Sequence, residues 1–385
     1  MTTALHIETL APVAAPPVQR GTPLLVPAGP SVEELLSPYV RTRKNIRRVI
    51  GMLAGFVLAL IAGDAILSRI PWPDLYGSRN LSHATWERFA HSSDSFDVLY
   101  LGCSYEWYGI NPRVVDAEVA RLDGRPIKSL NLSSSAASMV TNYLIARRVV
   151  ESGRLPRLVY LDISPDATDV TQSNWIRHGL RSLGEARDLP IAAAVGSDVF
   201  LETLLCATFR SYGRWDDAGI ATGRAVLAAP MNPKLKMRFD DRGWAEWIGG
   251  ERELRQPPGP PAIPHPGSRS GTIDELDVNA VALRRTIELF TAAGVEVRFL
   301  EMPMSSVAAP WDRHNGNEAY RDWIRTSTVD LDVSTVRVPE GFIADSDFFD
   351  PVHLNSRGAT TFSSWLAKDI ANDRSQPSDV AQVSY

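Results

Sequence analysis

The sequence predicts an α/β protein: a parallel sheet with helices on both faces, preceded by one transmembrane helix. Three observations predict it. Short apolar runs alternate with amphipathic segments between residues 96 and 370, as in sheets whose strands are buried on two faces and joined by crossover helices. A stretch of nineteen residues, 49–67, holds a single charge, Asp64. That length suits a bilayer crossing of roughly 20 residues. Third, a serine after the first apolar run and an Asp-x-x-His near the other end place chemistry where open α/β sheets carry it.

In chain order, residues 1–40 carry seven prolines and little apolar periodicity, so a disordered tail is expected. Arg41, Arg43, Lys44, Arg47 and Arg48 then flank the apolar stretch. Basic residues on that side argue for a cytoplasmic N-terminus and an exported C-terminal domain. The segment 41–70 is thus read as basic flank and anchor. A cleaved signal peptide is the alternative, and the long tail and long apolar run weigh against it. Gly51, Gly55, Ala59 and Gly63 recur every four residues, a spacing that lets another helix approach closely. Glycine is also simply common in membrane helices.

Residues 71–95 read as a stalk and 96–372 as the domain. Strands are expected at 96–101, 127–132, 158–163, 295–301 and 335–338. Helices are expected at 112–122, 136–151, 273–293, 318–328 and 356–370. Pro112 suits a first helical turn and Gly294 a helix end. Between 167 and 271 the alternation breaks, with helical pieces over 183–205, then Trp244 and Trp247, then a Pro/Gly-rich run. This is read as an insertion over the sheet's C-terminal edge, a lid or a partner surface. Residues 373–385 form a second expected disordered tail.

Composition excludes several functions. Forty basic against forty-five acidic residues give a net charge of −5, without the basic excess that nucleic-acid binding needs. Cys103 and Cys206 are the two cysteines; they make neither a metal motif nor a disulfide framework and are expected as separate buried thiols. No phosphate loop, metal cluster or paired-carboxylate glycosidase site stands out, so no cofactor is expected.

The sharpest chemical signal is Asp350-Pro351-Val352-His353. A carboxylate three positions before a histidine can hold one ring N–H and leave the other nitrogen free to take a proton. The nucleophile that fits it is Ser104, in Leu101-Gly102-Cys103-Ser104-Tyr105. Each has a plainer reading: Ser104 as a helix cap, Asp350 as a cap near Asn355, His353 as a core-edge histidine. Cys103 as nucleophile is disfavoured, because strand alternation turns it away from Ser104. Trp107 and Tyr108 are candidates to stack on a sugar ring or to fill core. His314 is a candidate for the acceptor groove or a solvated loop residue.

The order of these blocks resembles the SGNH/GDSL hydrolase superfamily over roughly residues 96–370. That resemblance implies a flavodoxin-like three-layer αβα sandwich, a serine nucleophile at Ser104, and an Asp350/His353 pair. The family's second block is matched by Asn131-Leu132-Ser133-Ser134-Ser135-Ala136, with Ala136 where the family has glycine. The Asp that precedes the family's serine is Cys103 here. The third block, Gly-x-Asn-Asp, is replaced by Leu161-Asp162-Ile163-Ser164-Pro165. By resemblance, the oxyanion hole would use the N–H groups of Ser104 and Ala136 and the Ser164 hydroxyl.

The run Leu101–Pro112 is similar to membrane-anchored SGNH-like proteins of envelope modification, of the alginate O-acetylation and teichoic acid D-alanylation type. This implies a single-pass protein of a bacterial inner membrane with an extracytoplasmic catalytic domain. It implies an acyl donor and a polysaccharide acceptor, and often a membrane-bound O-acyltransferase partner, for which the Gly51/Gly55/Ala59/Gly63 face is the candidate contact. Transferase and hydrolase outcomes both stay open. The incomplete blocks keep a non-catalytic alternative: a glycan-binding or scaffolding module. A cleaved, secreted esterase is the third reading.

Overall fold

The computed structural model describes residues 43–67, 81–164, 173–209, 237–247, 277–308 and 317–375. The expected tail at 1–40, most of the 373–385 tail, the Pro/Gly-rich run and His314 lie outside them. The chain divides into two units, Met1–Leu60 and Ile61–Tyr385. Helix α1, Arg43–Leu67, contains the only stretch among the described residues that is long and apolar enough to cross a membrane, Arg48–Ile66. Its large apolar side chains are exposed.

Of the expected stalk, residues 81–95 are described. Helix α2, Leu81–His91, buries Phe89 in the core, and the Arg154 guanidinium lies 4.2 Å over that ring. The alternation then runs β1 (Val98–Leu101), α3 (Ser104–Gly109), α4 (Pro112–Asp123), β2 (Ser129–Asn131), α5 (Met139–Ser152) and β3 (Leu158–Asp162). The insertion contributes α6 (Ser173–Leu183), α7 (Leu189–Val195), α8 (Ser197–Thr208), β4 (Met237–Phe239) and β5 (Ala245–Trp247). The chain returns with α9 (Val278–Ala292), β6 (Glu296–Glu301), α10 (Asn317–Ser327), β7 (Ser334–Arg337) and α11 (Ser356–Ser375).

The five expected strands form one sheet in the order β2-β1-β3-β6-β7, and each neighbouring pair is parallel. Counting only these strands, the order is 2-1-3-4-5, that of a doubly wound sheet whose direction of growth reverses between β1 and β3. Right-handed crossovers then send α4 and α5 to opposite faces. The helix packing agrees: α4 lies on α11, and α5 on α9. The central strands β1 and β3 are buried along their whole length, which is why they read as unbroken apolar runs.

Local chemistry sets the helix ends. The Asn111 side chain accepts from the Arg113 and Val114 N–H groups, Pro112 fills the first turn of α4, and Gly124 ends it at φ 73°. Ser138 and Thr141 form a capping box at the start of α5. Here the structure moves an expected boundary: the helix expected from 136 begins at Met139, because Ala136 takes a left-handed φ of 57°. The helical pieces expected over 183–205 are α7 and α8, separated at Gly196. At the other end, α11 runs to Ser375, past the expected start of the tail at 373.

Candidate active site

Ser104 opens α3 immediately beyond β1, so it stands at the carboxyl edge of the sheet beside the reversal between β1 and β3. The turn is tight. A Cβ on Gly102 would strike the Glu106 carboxyl and the Asp162 side chain, so only glycine fits there. The Asn131 amide, at the end of β2, donates to the Glu106 and Ile110 carbonyls at 2.8 and 3.2 Å and holds the short helix. Asn131 from the second block is therefore a strut beneath the nucleophile.

His353 arrives from the opposite end of the chain. An antiparallel bridge between Phe348 and Leu354 and a bond from the Phe349 N–H to the His353 carbonyl, 3.0 Å, close a tight turn. The hydroxyl of Ser305, after β6, donates to the Pro351 carbonyl at 2.7 Å and steadies that turn. The His353 ring nitrogen Nε2 lies 2.8 Å from Ser104 Oγ, and Nδ1 lies 2.8 Å from Asp350 Oδ2. The other Asp350 oxygen accepts the N–H groups of Val352 and His353 at 3.0 and 2.9 Å. Burial alone would raise the Asp350 carboxyl, but the His353 ring and these N–H groups hold it below the ordinary carboxylate range.

The competing roles are filled by other residues. Asn355, not Asp350, caps α11: its Oδ1 accepts the Arg357 and Gly358 N–H groups at 3.0 and 3.1 Å. Cys103 is fully buried with its thiol 3.3 Å from the Ser164 hydroxyl, and burial pushes that thiol well above its ordinary range. Both features disfavour it as a nucleophile. Cys206 is a second, separate buried thiol.

An aromatic cage surrounds the imidazole. Phe349 stacks on it at 5.5 Å with planes 11° apart, Tyr105 stacks at 5.4 Å, and Tyr108 meets it edge-on at 5.1 Å. Burial, then the nearby Asp350 charge, push the Tyr108 phenol up to about 12. Tyr108 is half-buried, so part of its ring faces outward. Trp107 takes the second of its two expected roles: at 4% exposure it belongs to the interior.

The expected oxyanion donors diverge. The turn bearing Ala136 is pinned beside the nucleophile by a bond from the Ser134 N–H to the Gly102 carbonyl, 3.2 Å. Ala136 is the only non-glycine residue with a positive φ among those described. It thus takes the backbone conformation that a glycine would adopt without strain. Ser164 is placed differently from expectation: its hydroxyl donates to Asp162 Oδ2 at 2.9 Å and its N–H to Oδ1 at 2.6 Å. That single hydroxyl proton is committed to Asp162 and not to a substrate oxyanion.

Two features escaped sequence reasoning. The β4–β5 hairpin braces the site, with the Trp244 indole N–H donating to the Tyr108 carbonyl at 2.9 Å and the Asn131 N–H to the Arg242 carbonyl at 2.9 Å. Behind the nucleophile, Cys103, Glu106 and Asp162 bring their donor atoms within 4.8 Å of one another, all buried. Two tryptophans signalled the hairpin; a lone glutamate in an aromatic run gave no signal of burial. The arrangement as a whole is a hydroxyl, an imidazole and a carboxylate in series, able to activate an alcohol for attack on a carbonyl. No family model matches the chain, and no curated protein matches it significantly.

Proposed function

We propose that the protein is a membrane-anchored serine acyltransferase or esterase that acts on cell-surface polysaccharide through an acyl-serine intermediate. The observation that carries this reading is the 2.8 Å approach of Ser104 Oγ to His353 Nε2 across 249 positions of chain, with Asp350 at 2.8 Å on the far nitrogen. The 2-1-3-4-5 strand order and the nucleophile's place after β1 support the likeness to the SGNH/GDSL superfamily and its flavodoxin-like sandwich. The basic flank of α1 supports a cytoplasmic N-terminus and an extracytoplasmic catalytic domain.

In the mechanism, Ser104 Oγ attacks the carbonyl of an ester or thioester while His353 Nε2 takes its proton. Asp350 holds Nδ1–H and stabilises the imidazolium. The tetrahedral adduct collapses, and His353 gives the proton to the leaving group. An acceptor hydroxyl, from sugar or water, then loses its proton to His353 and attacks the acyl-serine. Ser104 leaves with that proton, and the site is restored. The backbone N–H groups of Ser104 and Ala136 are the donors proposed for the oxyanion. A hole lacking one donor forfeits about 3 kcal/mol of transition-state stabilisation.

That forfeit favours a second reading, because Ser164 is committed to Asp162: a non-catalytic scaffold or glycan-binding partner of a membrane-bound O-acyltransferase. A fluorophosphonate probe separates the two. Labelling of the full chain that disappears in Ser104→Ala, with loss of polysaccharide acylation in cells carrying that variant, supports the enzyme. Unlabelled protein and unchanged acylation support the scaffold.

A further inference from the structure

Glu106 lies on the first turn of α3, two residues past Ser104, and is 1% exposed. Neither of its carboxyl oxygens meets a donor at full hydrogen-bond geometry; the backbone N–H groups of Cys103 and of Glu106 itself lie close enough to offset only part of the burial. Its carboxyl group rests against Gly102, and its nearest oxygen lies within 4.8 Å of the Asp162 carboxylate and the Cys103 thiol. An ionised carboxylate left without a donor in a dry interior is among the costliest arrangements a protein can hold. Asp162 offers the remedy. It accepts three hydrogen bonds, from the Cys103 N–H at 3.1 Å and from the Ser164 N–H and hydroxyl. A carboxylate has about four acceptor sites, so one remains.

We infer that Glu106 carries a proton shared with Asp162, and that this buried carboxyl pair ties α3 to the end of β3 and so seats Ser104 against His353. Glu106 is then a positioning residue, and the seating half of the inference rests on Ser104 being the nucleophile. The tie has two strands. Asp162 holds the Cys103 N–H at the mouth of α3, and the shared proton holds the same helix one turn on. Burial first, then the charge of Asp162, push the Glu106 carboxyl well above its ordinary range. A divalent cation on Cys103, Glu106 and Asp162 is the competing occupant. It would need the Cys103 thiol as a thiolate, and burial holds that thiol protonated.

The charges of α11 that have printed ion pairs find their partners elsewhere. Helix α11 and strand β5 pack on α3. On α11, Arg357 pairs with Asp347, Asp369 with Arg298, and Asp373 with Arg157 and Arg298; Lys368 acts on Glu118. Strand β5 carries Glu246. The titratable groups facing Glu106 are Asp162 and Cys103.

The test uses the full chain in detergent with Glu106→Gln, whose amide can donate to Asp162 in place of the shared proton. An infrared difference spectrum, wild type minus Glu106→Gln at neutral pH, should show the carbonyl stretch of a protonated carboxyl. Stability should separate the two proteins as well. A carboxyl raised in the folded state binds protons that the unfolded chain has released, so wild type loses stability as pH rises above the ordinary carboxylate range. Glu106→Gln should lose less, since among the described residues only the other raised carboxyls, Asp116 and Asp240, remain to titrate. Fluorophosphonate labelling of Ser104 should stay within about twofold in Glu106→Gln and fall about tenfold or more in Glu106→Ala, as misplaced nucleophiles do. A missing carboxyl band, parallel stability curves, or a stoichiometric metal lost from Glu106→Gln would overturn the pair. Equal labelling of Glu106→Ala and wild type would overturn its seating role. If wild type and Ser104→Ala label alike, the catalytic reading fails, while the infrared band still decides the pair.

Discussion

Asp350 serves His353 twice, with Oδ2 at 2.8 Å from ring Nδ1 and Oδ1 accepting the backbone N–H of the same residue at 2.9 Å. One carboxylate therefore fixes both where the histidine sits and how its ring is turned. The substitution Asp350→Asn separates these functions, because an amide oxygen can keep the backbone bond while the ring loses its charged partner. The expected outcome is a folded protein whose Ser104 labelling falls on the order of 10³- to 10⁴-fold. Asp350 also links stability to pH. Its folded-state carboxyl is lowered, so its contribution is full above the ordinary carboxylate range and lost as pH falls through the depressed value. Denaturation midpoints should therefore drop less steeply in acid for Asp350→Asn than for wild type.

Ala136 holds a left-handed φ of 57° in the turn beside the nucleophile, a conformation that costs an L-residue about 1–2 kcal/mol. Glycine takes it without that strain but loses more freedom on folding, by about 0.5–1 kcal/mol. Ala136→Gly should thus stabilise the domain by about 0.5–1 kcal/mol, read from chemical denaturation, with Ser104 labelling unchanged. Destabilisation would show that the methyl group contributes packing that outweighs the strain.

Gly243 sits in the β4–β5 turn at φ 89°, where an added Cβ would strike the Asn131 carbonyl oxygen. Gly243→Ala must push the hairpin off β2 and should cost about 1–3 kcal/mol. Trp244→Phe removes the indole bond to the Tyr108 carbonyl and should cost about 1 kcal/mol. If the hairpin braces the site, both variants lower the rate of Ser104 labelling. A bracing role fails if stability falls and labelling does not.

What was legible in the sequence was whatever depends on local pattern. Strands β1 and β3 announced themselves because burial on both faces leaves no polar alternation, and α4 because Asn111, Pro112 and Gly124 punctuate it. The Ser104–His353–Asp350 chain was legible because its residue types have few other reasons to fall at the two ends of one α/β alternation. Tertiary placement was not legible. Nothing local shows that Trp107 turns inward while Tyr108 turns towards His353, or that Ser164 gives its proton to Asp162. Glu106 drew no attention in the sequence, because glutamate is a surface residue by default and nothing local announces its burial.

The insertion is tied to helix α5 by a buried ion pair, and the removal of that pair should be felt throughout the domain. Arg147 on α5 forms a two-pronged pair with Asp188, which lies in the turn Ala186–Asp188. Their side chains are 7% and 2% exposed. Burial alone would lower the Arg147 guanidinium, yet Asp188 holds it above its ordinary value. Removing one partner strands the other charge in the interior, so Asp188→Ala should cost about 3–5 kcal/mol. Replacing both with apolar residues of similar size strands no charge, at the loss of the bond from the Glu185 N–H to Asp188. Arg147→Met with Asp188→Leu should recover most of that loss, because desolvating the two ions offsets much of their attraction. Denaturation of the two variants side by side checks this. A double variant as unstable as Asp188→Ala would mean that the pair contributes a net attraction, or that Glu185, 3.8 Å from Arg147, also depends on it.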